Sequence, residues 1–143
     1  MDTSTAIKFI DKAIEKTKLQ QLSWKPLPED IPVKPLPIDN SKLISPLLTL
    51  GKNLSVQDCY VSKYKTGHLL LLTYRSTVEL ALCTPPDGCI FSLRMQDEKS
   101  KFATEISNST RDTDEATYLI RLYNLIAKDS SSVSFLIDDF LNS

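Results

Sequence analysis

The sequence predicts an α+β domain built on an antiparallel sheet, and three observations carry that expectation. Apolar residues recur at helical spacing near the N-terminus, β-prone runs occupy residues 56–106, and the helical period returns after Asp112. Strands and helices do not alternate as a parallel sheet requires, so the fold class is α+β with its helices packed on the sheet. At 143 residues the chain has the usual size of one domain, taken as residues 1–143.

The first helix is expected over residues 4–21. Ala6, Ile10, Ala13 and Thr17, with Ile7, Phe9 and Ile14, make an apolar side, and Lys8, Asp11, Lys12, Glu15 and Lys16 fill the other. Thr3 or Ser4 is expected to cap it, and Pro26 closes the region to helix. Residues 24–47 then hold Pro26, Pro28, Pro32, Pro35, Pro37 and Pro46. Proline removes backbone donors, so the segment cannot be an inner strand. Two readings of 26–46 stay open: a crossover packed through Leu27, Ile31, Val33, Leu36 and Ile38, or a polyproline-like recognition segment.

The region 56–106 is expected to give four to five strands, including two hairpins. Residues 59–64 and 68–74 flank Lys65-Thr66-Gly67, with Gly67 in the left-handed position, Tyr64 facing His68 and Tyr60 facing Leu72. The four leucines at 69–72 suggest a strand covered on both faces. In the second hairpin, residues 78–84 and 89–95 flank Pro85-Pro86-Asp87-Gly88. The register that sets Leu82 against Phe91, Leu80 against Leu93 and Val78 against Met95 also sets Glu79 against Arg94 as an ion pair. Phe102–Ile106 is a candidate further strand.

Two helices are expected over 113–141. Asp112 followed by Glu115 resembles a capping box, and Ala116, Leu119, Ile120, Tyr123, Ile126 and Ala127 form one stripe. Residues 129–132 break it, and Val133, Leu136, Ile137, Phe140 and Leu141 continue at i, i+3, i+4, i+7 and i+8.

Composition argues against several functions. Seventeen Lys and Arg against eighteen Asp and Glu leave a net charge of −1, without the cation surplus that binding to nucleic acid or an anionic membrane draws on. The N-terminus lacks a signal-peptide pattern, and the longest purely apolar run, Leu69 to Leu72, is far short of the ~20 residues of a membrane span. Cys59, Cys83 and Cys89 lack metal spacing and read as free thiols of a reducing compartment, so a cytoplasmic location is expected. With His68 the sole histidine, neither a Ser-His nor a zinc site is expected. Three scattered glycines do not form a phosphate cradle, and Asp112, Asp114 and Glu115 read as helix-start acids. No metal or cofactor is expected.

The candidate binding residues are Trp24, Tyr60, Tyr64, His68 and Tyr74. Tyrosine and tryptophan join an apolar body to a polar tip, which suits interfaces, and Tyr64 is the first choice for a partner surface. Core packing is the competing reading for Trp24, and a turn position for His68.

The chain resembles a loose set of small, uncharacterised proteins of Gram-positive bacteria, their phages and mobile elements. Glu15-Lys16-Thr17 with Trp24, and later Leu119-Ile-Arg-Leu-Tyr123 with Ile126, carry the resemblance, while the proline-rich crossover departs from it. It implies an accessory bacterial or phage origin, with no activity attached. The leading functional expectation is a non-enzymatic accessory or regulatory protein that binds a protein partner through a sheet edge, aromatics or the proline segment. The alternative is a small-molecule sensor or sequestering domain with a pocket between helices and sheet, and an enzyme of unrecognised class ranks third. A homodimer paired through a sheet edge is also compatible with this pattern.

Overall fold

The structure, a computed structural model, describes residues 2–27, 53–99, 103–129, 137 and 139–142. The fold is α+β. Helix α1 (Thr3–Lys18) leads to strand β1 (Trp24–Pro26). Beyond it come β2 (Asn53–Leu54), a 3-10 turn (Val56–Asp58), β3 (Tyr60–Tyr64) and β4 (Gly67–Arg75). A short helix α2 (Thr77–Leu82) precedes β5 (Ile90–Asp97), β6 (Thr104–Asn108) and helix α3 (Thr113–Asp129). Ile137 and residues 139–142 are helical again. The sheet runs β1-β3-β4-β5-β6, antiparallel throughout, with β2 paired to the far end of β4.

Helix α1 starts one residue earlier than expected because Asp2 caps it: the Thr5 N–H donates to the Asp2 carboxylate at 2.7 Å. The hydrogen bonds from Thr5 hold the Asp2 carboxyl below its ordinary value. Its C-terminus closes with Gln20 at φ 60°, the Gln21 N–H reaching the Lys16 carbonyl at 2.8 Å and the Gln20 N–H reaching that of Thr17 at 3.1 Å. This is a Schellman turn with glutamine where glycine is usual. For α3 the capping prediction holds in its first half, since Asp112 Oδ2 accepts from the Asp114 and Glu115 N–H groups at 2.9 and 3.2 Å.

Both faces of the sheet are buried. Leu69, Leu71, Phe91, Leu93 and Ile106 face α1 and α3, where Ile10, Ala13, Leu119, Leu122, Tyr123 and Ile126 complete the main core. Leu70, Leu72 and Val61 point the other way, with Cys59 and Leu27. The leucine run therefore does serve a strand covered on both faces. Pro26 sits in an edge strand, where its missing N–H costs no ladder bond. The rest of the crossover, with both readings of it, lies outside the described residues, as does Phe102.

Two expectations about pairing are corrected. The first hairpin turns through two residues, Lys65-Thr66, so Tyr64 faces Gly67, Lys63 faces His68 and Tyr60 faces Leu71. The left-handed residue is Lys65, at φ 52°. Gly67 is needed for a different reason: a Cβ there would lie 2.7 Å from the Gln96 carbonyl oxygen of β5. Backbone cannot yield as a flexible side chain can, so Gly67→Ala is expected to destabilise the fold by ~1–3 kcal/mol in urea melts. A loss below about 0.5 kcal/mol would show that β4 and β5 separate freely there.

The second hairpin does not form. Residues 77–82 are α2, and β5 pairs with β4 instead, Leu69 facing Met95, Leu71 facing Leu93 and Thr73 facing Phe91. Glu79, Leu80, Ala81 and Leu82 include some of the strongest helix formers. The flanks of β5 are already filled by β4 and β6, leaving no slot for residues 78–84. The Pro85–Pro86 peptide is cis and Gly88 has φ 72°. Arg94 consequently lies across from Leu70 and Glu105 in the sheet, and its guanidinium pairs with Glu105 of β6. The last helical residues also depart from the expected packing. Ile137, Phe140 and Leu141 are 53, 80 and 73% exposed.

Candidate functional site

The five aromatic and histidine candidates are not brought together. Trp24 is half-buried at the sheet edge, its indole N–H donating to Thr17 Oγ1 at 2.9 Å, and Thr17 in turn donates to the Ala13 carbonyl at 2.7 Å. This is a structural clamp between α1 and β1. Tyr60 is buried edge-on to Tyr123, with ring centroids 6.0 Å apart. His68 and Tyr74 are half-buried on the face of the sheet away from the helices, Tyr74 packing beside Leu70 and Leu72.

Tyr64 lines an open concavity. Phe9, Lys12, Ala13 and Lys16 of α1 lie at i, i+3, i+4 and i+7, one stripe directed at the hairpin end of the sheet. The Schellman turn brings Leu22 back against them, while Leu69 and Met95 form a cross-strand floor. Together they enclose a depression of about 450 Å³, open solvent included. Gly67, opposite Tyr64, adds no side chain to this face. Tyr64 is 41% exposed, and Lys65 Nζ lies 5.6 Å from its ring centroid. The floor is thus apolar and the rim carries Lys12, Lys16 and Lys65, with Lys12 also 3.4 Å from Glu15. A flat aromatic beside apolar side chains and flexible cations is suited to an amphipathic surface. It offers no nucleophile with an adjacent base.

Sequence reasoning found Tyr64 but missed its neighbours. Part of the signal was present: Phe9 widens the apolar arc of α1 beyond the Ala6, Ile10, Ala13 and Thr17 core stripe.

The opposite face of β5 and β6 holds a buried polar network. Arg94 donates from Nε to Ser92 Oγ and from Nη2 to the Tyr74 hydroxyl, each at 3.1 Å. Ser92 donates to Glu105 Oε2 at 2.7 Å, Asn108 donates to the same oxygen at 3.4 Å, and Arg94 Nε lies 4.0 Å away. Glu105 Oε1 has no hydrogen-bond partner among the described residues. Burial pushes the Tyr74 hydroxyl above its ordinary value despite Arg94, so it does not act as a base at neutral pH. The period-2 alternation of Phe91, Leu93 and Met95 with Ser92, Arg94 and Gln96 announced this polar face.

At the end of β4, Arg75 bridges Asp58 at 3.2 Å and the Cys83 carbonyl, tying the 3-10 turn to the loop after α2. Cys59 beside it is fully buried, donating to the Ser55 carbonyl at 3.1 Å and accepting from the Thr73 N–H at 3.3 Å. Burial raises its thiol to about 11, against the ordinary 9.0. Burial likewise raises Tyr60 and Tyr123. Unfolding exposes these groups, which then ionise at their ordinary values, so the unfolded chain holds fewer protons than the native one at alkaline pH. The stability from Cys59 is complete below about pH 9 and is lost between 9 and 11. Unfolding free energies from urea melts are expected to fall in that window, by on the order of 1 kcal/mol per pH unit, and Cys59→Ala is expected to flatten the slope. A flat profile in the wild type would contradict the burial of Cys59.

Among the described residues no three His, Cys, Asp or Glu side chains converge as a metal site, and no helix is long and apolar enough to cross a membrane. No protein-family model, curated protein or solved structure matches the chain.

Proposed function

We propose that this chain is a non-enzymatic accessory or regulatory protein that acts by binding a protein partner over the Tyr64 depression. One observation carries the reading: an exposed tyrosine stands beside an open depression whose partly buried Phe9 and Met95 lie over the core residues Leu22 and Leu69. The lysine rim supplies orientation and encounter rate. Work in a reducing cytoplasm is supported by three free cysteines, one of them wholly buried. A bacterial or phage setting rests on the resemblance alone. The small-molecule alternative receives less support, because drug-sized ligands favour sites that enclose most of their surface and none of Trp24, Tyr60 and Tyr74 lines this one.

Affinity capture from the native host, run in parallel with two variants, tests the proposal. A stoichiometric protein is expected with the wild type and with Lys63→Ser, an exposed residue directed to the other face. Tyr64→Ser is expected to reduce recovery ~10-fold, the effect of a central aromatic contact. Recovery of a small molecule without a protein, or capture indifferent to Tyr64→Ser, would overturn it.

A further inference from the structure

A second apolar surface on this molecule is left exposed, and it complements the first. Ile137, Phe140 and Leu141 stand at i, i+3 and i+4 on the last helical residues, each more than half exposed. Three large apolar side chains on one side of a short helix are the usual anchors of helix-in-groove recognition. Charge complements shape. Residues 133–143 contain two aspartates, Asp138 and Asp139, and no Lys or Arg, for a formal charge of −2. The depression is rimmed by Lys12, Lys16 and Lys65. On the same side Glu15 is engaged by Lys12, and Asp97, opposite Gly67, accepts from the Lys99 N–H at 3.3 Å.

From these features we infer that the C-terminal helix of one copy docks its Ile137, Phe140 and Leu141 side into the Tyr64 depression of a second copy. Each copy carries one helix and one depression. A reciprocal pair therefore closes with two identical contacts and leaves neither surface over, as a two-fold dimer requires. In the single chain the two surfaces do not cover one another, since the helix side and Tyr64 are both exposed. The contact is small, so the dimer forms reversibly, at micromolar rather than nanomolar concentration. This rests on the depression being the binding surface. It adds that self-association occupies that surface in the free protein, and that an external partner competes with it.

Sedimentation equilibrium of the full chain from about 1 to 500 µM tests the inference. A monomer–dimer equilibrium is expected. The exposed-residue variants Leu141→Ser and Tyr64→Ser should each weaken it ~10-fold. Lys16→Glu and Asp139→Lys should each weaken it ~3-fold, and the two charge reversals in one chain should restore it to within about twofold of wild type. Folding of every variant is checked by its circular dichroism. A monomer at all concentrations, or a dimer indifferent to Leu141→Ser and Tyr64→Ser, overturns the inference. A monomeric chain that still captures a partner in a Tyr64-dependent way leaves the proposed function standing while this inference fails.

Discussion

Phe91→Ala is expected to cost ~3–5 kcal/mol, while Leu82→Ala nine residues earlier costs less than about 0.5 kcal/mol. Phe91 is 1% exposed, 4.9 Å between centroids from Tyr123, and held on both sides of its strand. Thr73 faces it across β4, and Ser109 receives its N–H at 2.9 Å on the other side. Truncation leaves a cavity between β5 and α3 that neither a twisted sheet nor a capped helix closes easily. Leu82 is 78% exposed on α2, so its side chain has little burial to lose. The pair discriminates between two folds. Had residues 78–84 paired with 89–95, Leu82 would face Phe91 in the core and both truncations would be severe. Urea melts of the two variants decide between them. At this chain length the Phe91 loss corresponds to a drop in Tm of ~10 °C.

The second large effect is expected at Glu115. Its carboxylate is fully buried where three elements meet. Ser107 of β6 donates to Oε1 at 2.8 Å, Thr3 of α1 donates to Oε2 at 3.2 Å, and Arg111 Nε lies 3.6 Å from the same oxygen. Glu115→Ala removes the acceptor for two hydroxyls and takes a carboxylate from beside a guanidinium that is only 17% exposed. Removing one partner of a buried ion pair costs more than the pair contributes, because the remaining charge loses its compensation. The partial exposure of Arg111 moderates this, giving an expected loss of ~2–4 kcal/mol. Glu115→Gln keeps an acceptor for the hydroxyls and is expected to lose about half as much. Equal losses for Ala and Gln would mean that the charge on Arg111, rather than the hydroxyl network, dominates.

Glu115 also shows where sequence reasoning stops. The spacing from Asp112 to Glu115 is that of a capping box, and the Asp112 half forms as expected. The Glu115 side chain instead turns inward to partners 112 and 8 residues away. Local spacing carries no record of such distant partners. The helical stripes of α1 and α3 were legible because burial against a single layer imposes period 3.6 on the sequence, and the leucine strand because cover on both faces gives an unbroken apolar run. Pairing was legible only where a tight turn enforces it. Even the β3–β4 hairpin slipped by one residue, because Gly67 serves the close approach of β5 rather than the turn. Residues 78–84 read as a strand because Val78, Leu80 and Leu82 alternate with other residue types. Tertiary competition for the flanks of β5 overrode that pattern.

Of the candidate site, Tyr64 was legible as an aromatic near a hairpin tip. Trp24, Tyr60 and Tyr74 carry the same chemistry but spend it inside the fold, on Thr17, Tyr123 and Arg94 respectively. Exposure separates Tyr64 from the structural tyrosines, and exposure depends on which elements stack above each strand.

Side-chain NMR of the chain bound to its captured partner tests most directly whether the Tyr64 depression is the interaction surface. Adjacent leucines on β4 report opposite faces: Leu69 lines the depression, while Leu70 and Leu72 lie behind the sheet. Binding is predicted to shift the methyl signals of Leu69, Met95, Ala13 and Leu22 and the ring of Tyr64, leaving Leu70 and Leu72 in place. Shifts confined to Leu70, Leu72 and Tyr74, with Leu69 and Met95 unmoved, would contradict the account.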